Sequence, residues 1–216
     1  MAVFTILLGV IYSRIFSMDI AVYLPFVALG LIVWSFISST TMESANSFTD
    51  NAGIIRQIRL PFSVFVMRTV WRAFIVFLHT IVLIIPIALY FRLPIDMNTF
   101  LFVPGLILLF INQVWVSVVI AIVSTRFRDI PLLIATALQI LMFASPIMWP
   151  VSALRDAQFV AAVNPIYHLM EIVRGPLLGE TPPLLSWLVV IMMCVCGLGL
   201  AAMLLTRASR RIVYWL

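Results

Sequence analysis

The 216-residue sequence predicts an all-α, polytopic membrane protein in one domain, residues 1–216, with six helices crossing the bilayer. Three observations carry that expectation. Hydrophobic residues make up 64% of the chain and charged residues only 10%, against about 25% charged in an ordinary soluble domain. Apolar runs of 18 or more residues recur along the chain, long enough to cross a bilayer. The basic residues, 13 arginines and no lysine, lie mostly at the ends of those runs.

Apolar runs bounded by charge, Pro or Gly fall at 1–17, 21–39, 64–90, 99–123, 131–149 and 184–205. The fourth, TFLFVPGLILLFINQVWVSVVIAIV, can cross ~30 Å of hydrocarbon with some tilt. The first is short before Arg14 and lacks the basic leader and cleavage site of a signal peptide. Residues are expected to be missing ahead of Met1. No internal repeat, low-complexity linker or soluble domain interrupts the chain.

Alternating the loops between the two sides of the membrane sorts the arginines. One side collects Arg56, Arg59, Arg68, Arg72, Arg126, Arg128, Arg207, Arg210 and Arg211. The other holds Arg14, Arg92, Arg155 and Arg174, accompanied by Asp19, Asp96, Asp156, Glu171 and Glu180. Positive charge favours the cytoplasm, so the first side is assigned there, with the tail RASRRIVYWL. The net charge of +5 is thereby read as a topology signal and not as a nucleic-acid surface.

The spans carry no acid near their middles, where an ion-coupled transporter places its functional groups. His79, Thr80, Asn112, Gln113, Ser117 and Gln139 are the polar residues inside them, suited to hydrogen bonds between helices. Arg68 and Arg72 enter the third span and can snorkel to the cytoplasmic interface. Cys194 and Cys196 lie two apart and fall on different helix faces. Two histidines, without an HExxH motif or a pair of intramembrane aspartates, assemble no protease chemistry. Neither catalysis nor a bound cofactor or metal is expected of this chain, and energy should arrive through a cytoplasmic surface.

The longest cytoplasmic connection runs from Thr40 to Phe62. Thr49 or Asp50 can cap a helix that Pro61 stops. Ile54, Ile55 and Ile58 fall on one face of it, with Arg56, Gln57 and Arg59 elsewhere. This amphipathic helix either anchors the loop at the interface or fits a groove on a partner. Between the fifth and sixth spans lies VSALRDAQFVAAV (151–163), a candidate short helix, followed by NPIYHLMEIVRGPLLGE. In the second stretch Asn164 suits the N-cap and Pro165 the first helical position. Gly175 is placed to end the helix in a left-handed turn, with Pro176 preventing continuation. Ile166, Leu169, Met170 and Val173 form an apolar stripe; His168, Glu171 and Arg174 recur on another face, where Glu171 can pair with either neighbour.

Three stretches together, ANSFTDNAGIIRQIRLP, RFRDIPLLIATALQILMFASPIMWP and NPIYHLMEIVRGPLLGE, resemble the permease subunits of type-2 ABC exporters. The similarity is greatest to the branch that exports O-antigen, capsule and teichoic acid. The resemblance implies two permease copies with two separate ATPase subunits, ATP and magnesium residing on the latter, and a channel for a lipid-linked glycan. It implies a cytoplasmic coupling helix at Asp50, Ile54, Ile55, Arg56, Ile58 and Arg59, and a second cytoplasmic loop at Arg126, Arg128 and Asp129. It also implies an extracytoplasmic re-entrant helical hairpin acting as a gate, with Asn164, Pro165, Tyr167, His168, Glu171, Arg174, Gly175 and Pro176. The bacterial inner membrane is the expected location. A drug or small-lipid exporter of the same superfamily is the nearer alternative, and an intramembrane enzyme or scramblase without an ATPase the more distant one.

Overall fold

The computed structural model describes residues 2–58, 60–94, 96–152 and 159–216. Helix α1 (Ala2–Ile15) leads into α2 (Ile20–Ala45), a short α3 (Ala52–Gln57), α4 (Phe62–Ile81) and α5 (Ile84–Phe91). A 3₁₀ turn (Met97–Leu101) opens α6 (Phe102–Arg126), followed by α7 (Ile130–Ala144), α8 (Phe159–Val163), α9 (Pro165–Leu177), α10 (Leu184–Ala208) and α11 (Ile212–Trp215). Among the described residues, four segments are long and apolar enough to cross a membrane: Ile20–Ala45, Phe62–Phe91, Met97–Arg126 and Leu184–Ala208.

The expected first and fifth spans form shorter helices. At 1.5 Å per residue α1 and α7 rise about 21 and 22 Å, less than the ~30 Å hydrocarbon layer. The apolar run 131–149 is helical only to Ala144, because Pro146 offers no N–H. Its predecessor Ser145 is driven to an extended conformation (φ −100°, ψ 149°). The run 64–90 is broken at Val82–Leu83, where N–H bonds from Leu83 to Thr80 and from Ile85 to Val82 replace regular α-helical pairing. Pro86 explains the break, since it cannot donate to Val82 and its ring crowds that carbonyl.

Helix α2 is the centre of the bundle. Buried residues recur around its whole circumference from Tyr23 to Ala45, as expected for a helix that is apolar all round. It outlasts the expected end at residue 39 by six residues. The hydroxyls of Ser38, Ser39 and Thr40 turn back to the carbonyls of Ser35 and Phe36, so the polar run SSTT stays helical inside the packed bundle. Asp19 caps the other end by accepting from the Ala21 N–H.

Among the described residues, two larger apolar cores and a small cluster of Ala28, Leu29 and Ile84 hold the bundle together. The first joins α2, α4, α6, α9 and α10 around Val33, Phe77, Leu109, Met170 and Val190. The second joins Phe48, Phe65, Val70, Ile122, Ala201 and Ile212. At Gly197, an added Cβ would collide with the Trp115 ring of α6. Asn112 of α6 donates to its own helix at Leu108 O (2.9 Å) and across to Val190 O of α10 (3.4 Å), and accepts from Trp115 Nε1 (2.8 Å). His79, in contrast, stands exposed with Nδ1 2.8 Å from Ile75 O of its own helix.

Candidate functional site

Helix α9 begins as its sequence dictates. Pro165 is the first helical residue, and the Asn164 carboxamide oxygen accepts from the Ile166 N–H at 2.9 Å. Its other end differs from expectation. The helix runs through Gly175 and Pro176, and the left-handed residue is Gly179 (φ 81°). The Glu180 N–H reaches Gly175 O (2.9 Å) and the Gly179 N–H reaches Pro176 O (3.4 Å), the paired bonds of a Schellman turn. Pro176 is tolerated because the carbonyl it leaves unbonded, Ile172 O, faces Gly105 of α6. A Cβ there would collide with that oxygen, so the missing side chain admits the carbonyl against the α6 backbone.

Most of α9 is buried, including His168, Leu169, Met170, Ile172, Val173 and Arg174. Its polar residues fasten it to its surroundings. His168 Nε2 lies 2.8 Å from Ala162 O of α8, and Nδ1 lies 2.9 Å from Ser186 Oγ of α10. A carbonyl only accepts, so Nε2 bears a proton and donates to Ala162 O. Arg174 donates to Pro146 O (2.9 Å) and Glu171 (3.2 Å), and its guanidinium lies 4.0 Å above the Phe26 ring of α2. Glu171 therefore pairs with Arg174. Burial pulls the Arg174 pKa below the usual arginine range, and the Glu171 carboxylate opposes that shift. The Asn164 carboxamide donates to Ser145 Oγ at 2.9 Å. The Tyr23 hydroxyl donates to Met148 O, while Ile147 O approaches α2 at Gly30, where a Cβ would lie 2.6 Å away. The segment after α7 is thus clamped between α2 and α9.

A cavity of about 550 Å³ opens beside α9, with Arg92, Tyr167, Glu171, Arg174 and Glu180 among its lining residues. Burial raises the Tyr167 pKa, and nearby Glu171 adds to the effect. Of the expected companion helix at 151–163, the stretch 153–158, with Arg155 and Asp156, lies outside the described residues. Among the described residues of that stretch, Phe159–Val163 is α-helical.

At the other end, α3 is shorter than expected. Asn51 holds its N-cap position without a side-chain cap bond, in place of Thr49 or Asp50. Thr49 Oγ1 instead donates to Asn46 O (3.0 Å), and Ile58 is already extended (φ −122°, ψ 130°). The isoleucines therefore do not share one face. Ile55 is buried, whereas Ile54 and Ile58 are 44% and 54% exposed, with exposed Arg56 between them. Arg59 lies outside the described residues. Asp50 borders a polar cavity with Glu43, Arg68 and Arg72, in which Arg72 meets Glu43 at 2.6 Å. Arg126 stacks near Phe127 and Trp215. Arg128 lines a cavity with Asn46, Thr49 and Trp215, and Asp129 precedes α7 without a side-chain cap bond. Sequence reasoning missed the fold-back of the tail, whose Ile212 is fully buried. The apolar IVYW after three arginines was its signal.

The loops sorted by arginine content thus gather at opposite ends of the bundle, one with the α9 cavity and the other with α3, Arg128 and Trp215. A family model described as ABC-2 type transporter matches residues 1–178. The chain belongs to the ABC-2 type transporter family. That membership bears out the resemblance carried by the three stretches. The chain is similar to the O-antigen export system permease protein RfbA of Klebsiella pneumoniae, with 25% identity over 174 residues, 76% of this chain and 66% of that protein. It is also similar to the protein of the same name from Myxococcus xanthus, with 20% identity over 167 residues, 74% of this chain and 64% of that protein. The matches thus cover just under two thirds of the length of those relatives.

Proposed function

We propose that the chain is the membrane subunit of an ATP-driven exporter that moves lipid-linked polysaccharide across a bacterial inner membrane. The observation that carries this reading is similarity over about three quarters of the chain to two permeases named for O-antigen export. In this reading two copies assemble with two ATPase subunits, which hold ATP and magnesium and supply the energy. Among the described residues of α7 none is buried, and α1 exposes Val3, Leu7 and Val10. Local thinning of the bilayer would let these two short helices complete a set of six spans, with lipid and a second copy covering their exposed faces.

The cytoplasmic end receives the stroke at Ile54, Arg56 and Ile58, which face outward while Ile55 anchors α3 in the core of Phe48, Phe65 and Ile212. Helix α9 acts as a re-entrant gate at the opposite end, held by the polar contacts of Asn164, His168 and Arg174. Cells lacking the chain should lose surface polysaccharide and accumulate the lipid-linked form inside, and the parent gene should restore export. The double substitution Ile54→Asp/Ile58→Asp should then abolish both export and ATPase co-purification without altering the amount of chain in the membrane. Unchanged surface polysaccharide in the deletion strain would overturn the cargo; unchanged co-purification would overturn the docking role of α3.

A further inference from the structure

Two cavities adjoin at Phe91, which lines both. One is a groove of about 450 Å³ between α1, α2 and α5, walled by Leu24, Ala28, Ile32, Leu83, Ile87 and Tyr90. The other is the charged α9 cavity of about 550 Å³. Each lies within the ~300–1,000 Å³ typical of small-molecule pockets. The apolar groove lies along two bilayer-spanning segments, α2 and α4–α5, and the charged cavity lies at their end. That sequence of environments matches an amphiphile.

The charged half has a defined polarity. Helix α5 ends at Arg92, which is left-handed (φ 52°, ψ 50°). The corner after it is seated on the α9 turn, where a Cβ at Gly179 would lie 2.5 Å from Pro94 Cγ. Arg92 and Glu180 are thereby held on the walls of one cavity. Arg174 is already committed to Pro146, Glu171 and Phe26. The side chains of Arg92 and Glu180, by contrast, make no hydrogen bond or ion pair with the described residues. Among the described residues that line the cavity, Arg92 and Glu180 are the charged side chains without a hydrogen bond or ion pair, and Glu180 bears electrostatically on Arg174 and on Tyr167 beside it.

We propose that groove and cavity together bind one zwitterionic phospholipid of the phosphatidylethanolamine type. An acyl chain occupies the α1–α2–α5 groove, the phosphate meets Arg92 and the ammonium meets Glu180. Charge decides the occupant. A diphosphate-linked lipid would bring its negative charges against both Glu171 and Glu180, and an anionic headgroup offers the Glu180 carboxylate no hydrogen-bonding cation. A zwitterion offers both Arg92 and Glu180 charge-assisted hydrogen bonds.

The test uses the whole chain in native membranes, with whatever subunits accompany it. Phosphatidylethanolamine and phosphatidylglycerol bearing the same photoreactive acyl chain are added separately, and labelled peptides are mapped. Phosphatidylethanolamine should label α1, α2 and α5 around Ile87. Loss of one charge-assisted hydrogen bond in Arg92→Ala should lower that labelling about tenfold. Ile87→Trp, which fills the groove, should abolish it, and Glu180→Gln should erase the preference over phosphatidylglycerol. Equal labelling by both lipids in the parent, indicating only a surrounding lipid shell, would overturn the proposal. So would stronger labelling by phosphatidylglycerol or by a photoreactive polyprenyl diphosphate, or labelling indifferent to Arg92→Ala. The readout does not involve export, so it stands or falls separately from the exporter reading.

Discussion

Deleting the Glu171 carboxylate probes the contact that locks α9 in place. Glu171 Oε2 lies 3.2 Å from Arg174 Nη2, with side chains 12% and 4% exposed. Removing one partner of a buried pair costs ~3–5 kcal/mol, because the remaining charge stays desolvated. Arg174 keeps Pro146 O and the Phe26 ring, so the low end, about 3 kcal/mol, applies to Glu171→Ala. For a chain of this length 1 kcal/mol moves Tm by about 2–4 °C, giving a fall of roughly 6–12 °C. The assay is thermal unfolding of the purified protein followed by tryptophan fluorescence. Replacing both partners with apolar residues, Glu171→Leu/Arg174→Met, should recover much of the loss, with a coupling energy of about 2 kcal/mol. Glu171→Ala unfolding within about 1 °C of the parent would refute the inference that this pair holds the helix. In the exporter reading the same variant should leak or block polysaccharide export while ATP hydrolysis continues, measured in the assembled complex.

Two further predictions concern the packing and the two ends. Gly105→Ala should destabilise by about 1–3 kcal/mol in the same unfolding assay, because its methyl group meets the Ile172 carbonyl. Gly199→Ala, where an added Cβ meets nothing within 4 Å, should be neutral or stabilising by up to about 1 kcal/mol; equal losses at both sites would sink the explanation. With Cys194 and Cys196 replaced by alanine, a cysteine at Glu180 should react with an impermeant maleimide from outside intact cells. One at Arg128 should react only after permeabilisation, and reaction of both from the same side would overturn the two-ended arrangement.

The class of protein, the sorting of its loops and the start of α9 were legible in the amino-acid sequence. Those features rest on composition and on interactions within a few residues. Long runs without charge must leave water, arginines must stay at the ends, and Asn164–Pro165 starts a helix wherever it is placed. The sequence also carried the family, because three spaced stretches resemble one pattern in the right order. Tertiary structure decided what depends on neighbours far along the chain. Pro176 lies within α9 because Gly105, seventy-one positions earlier, offers an open backbone to the Ile172 carbonyl. Local preference alone would have ended the helix at Gly175. Ser38 to Thr40 remain helical because packed helices leave their hydroxyls no better partner than their own backbone. Ile55 turns inward, away from Ile54 and Ile58, because Phe48, Phe65 and Ile212 build a core beneath it. Glu171 chooses Arg174 over His168 because Ala162 and Ser186 already engage the imidazole. Periodicity specifies which residues share a helix face, but only the packed bundle specifies what that face meets.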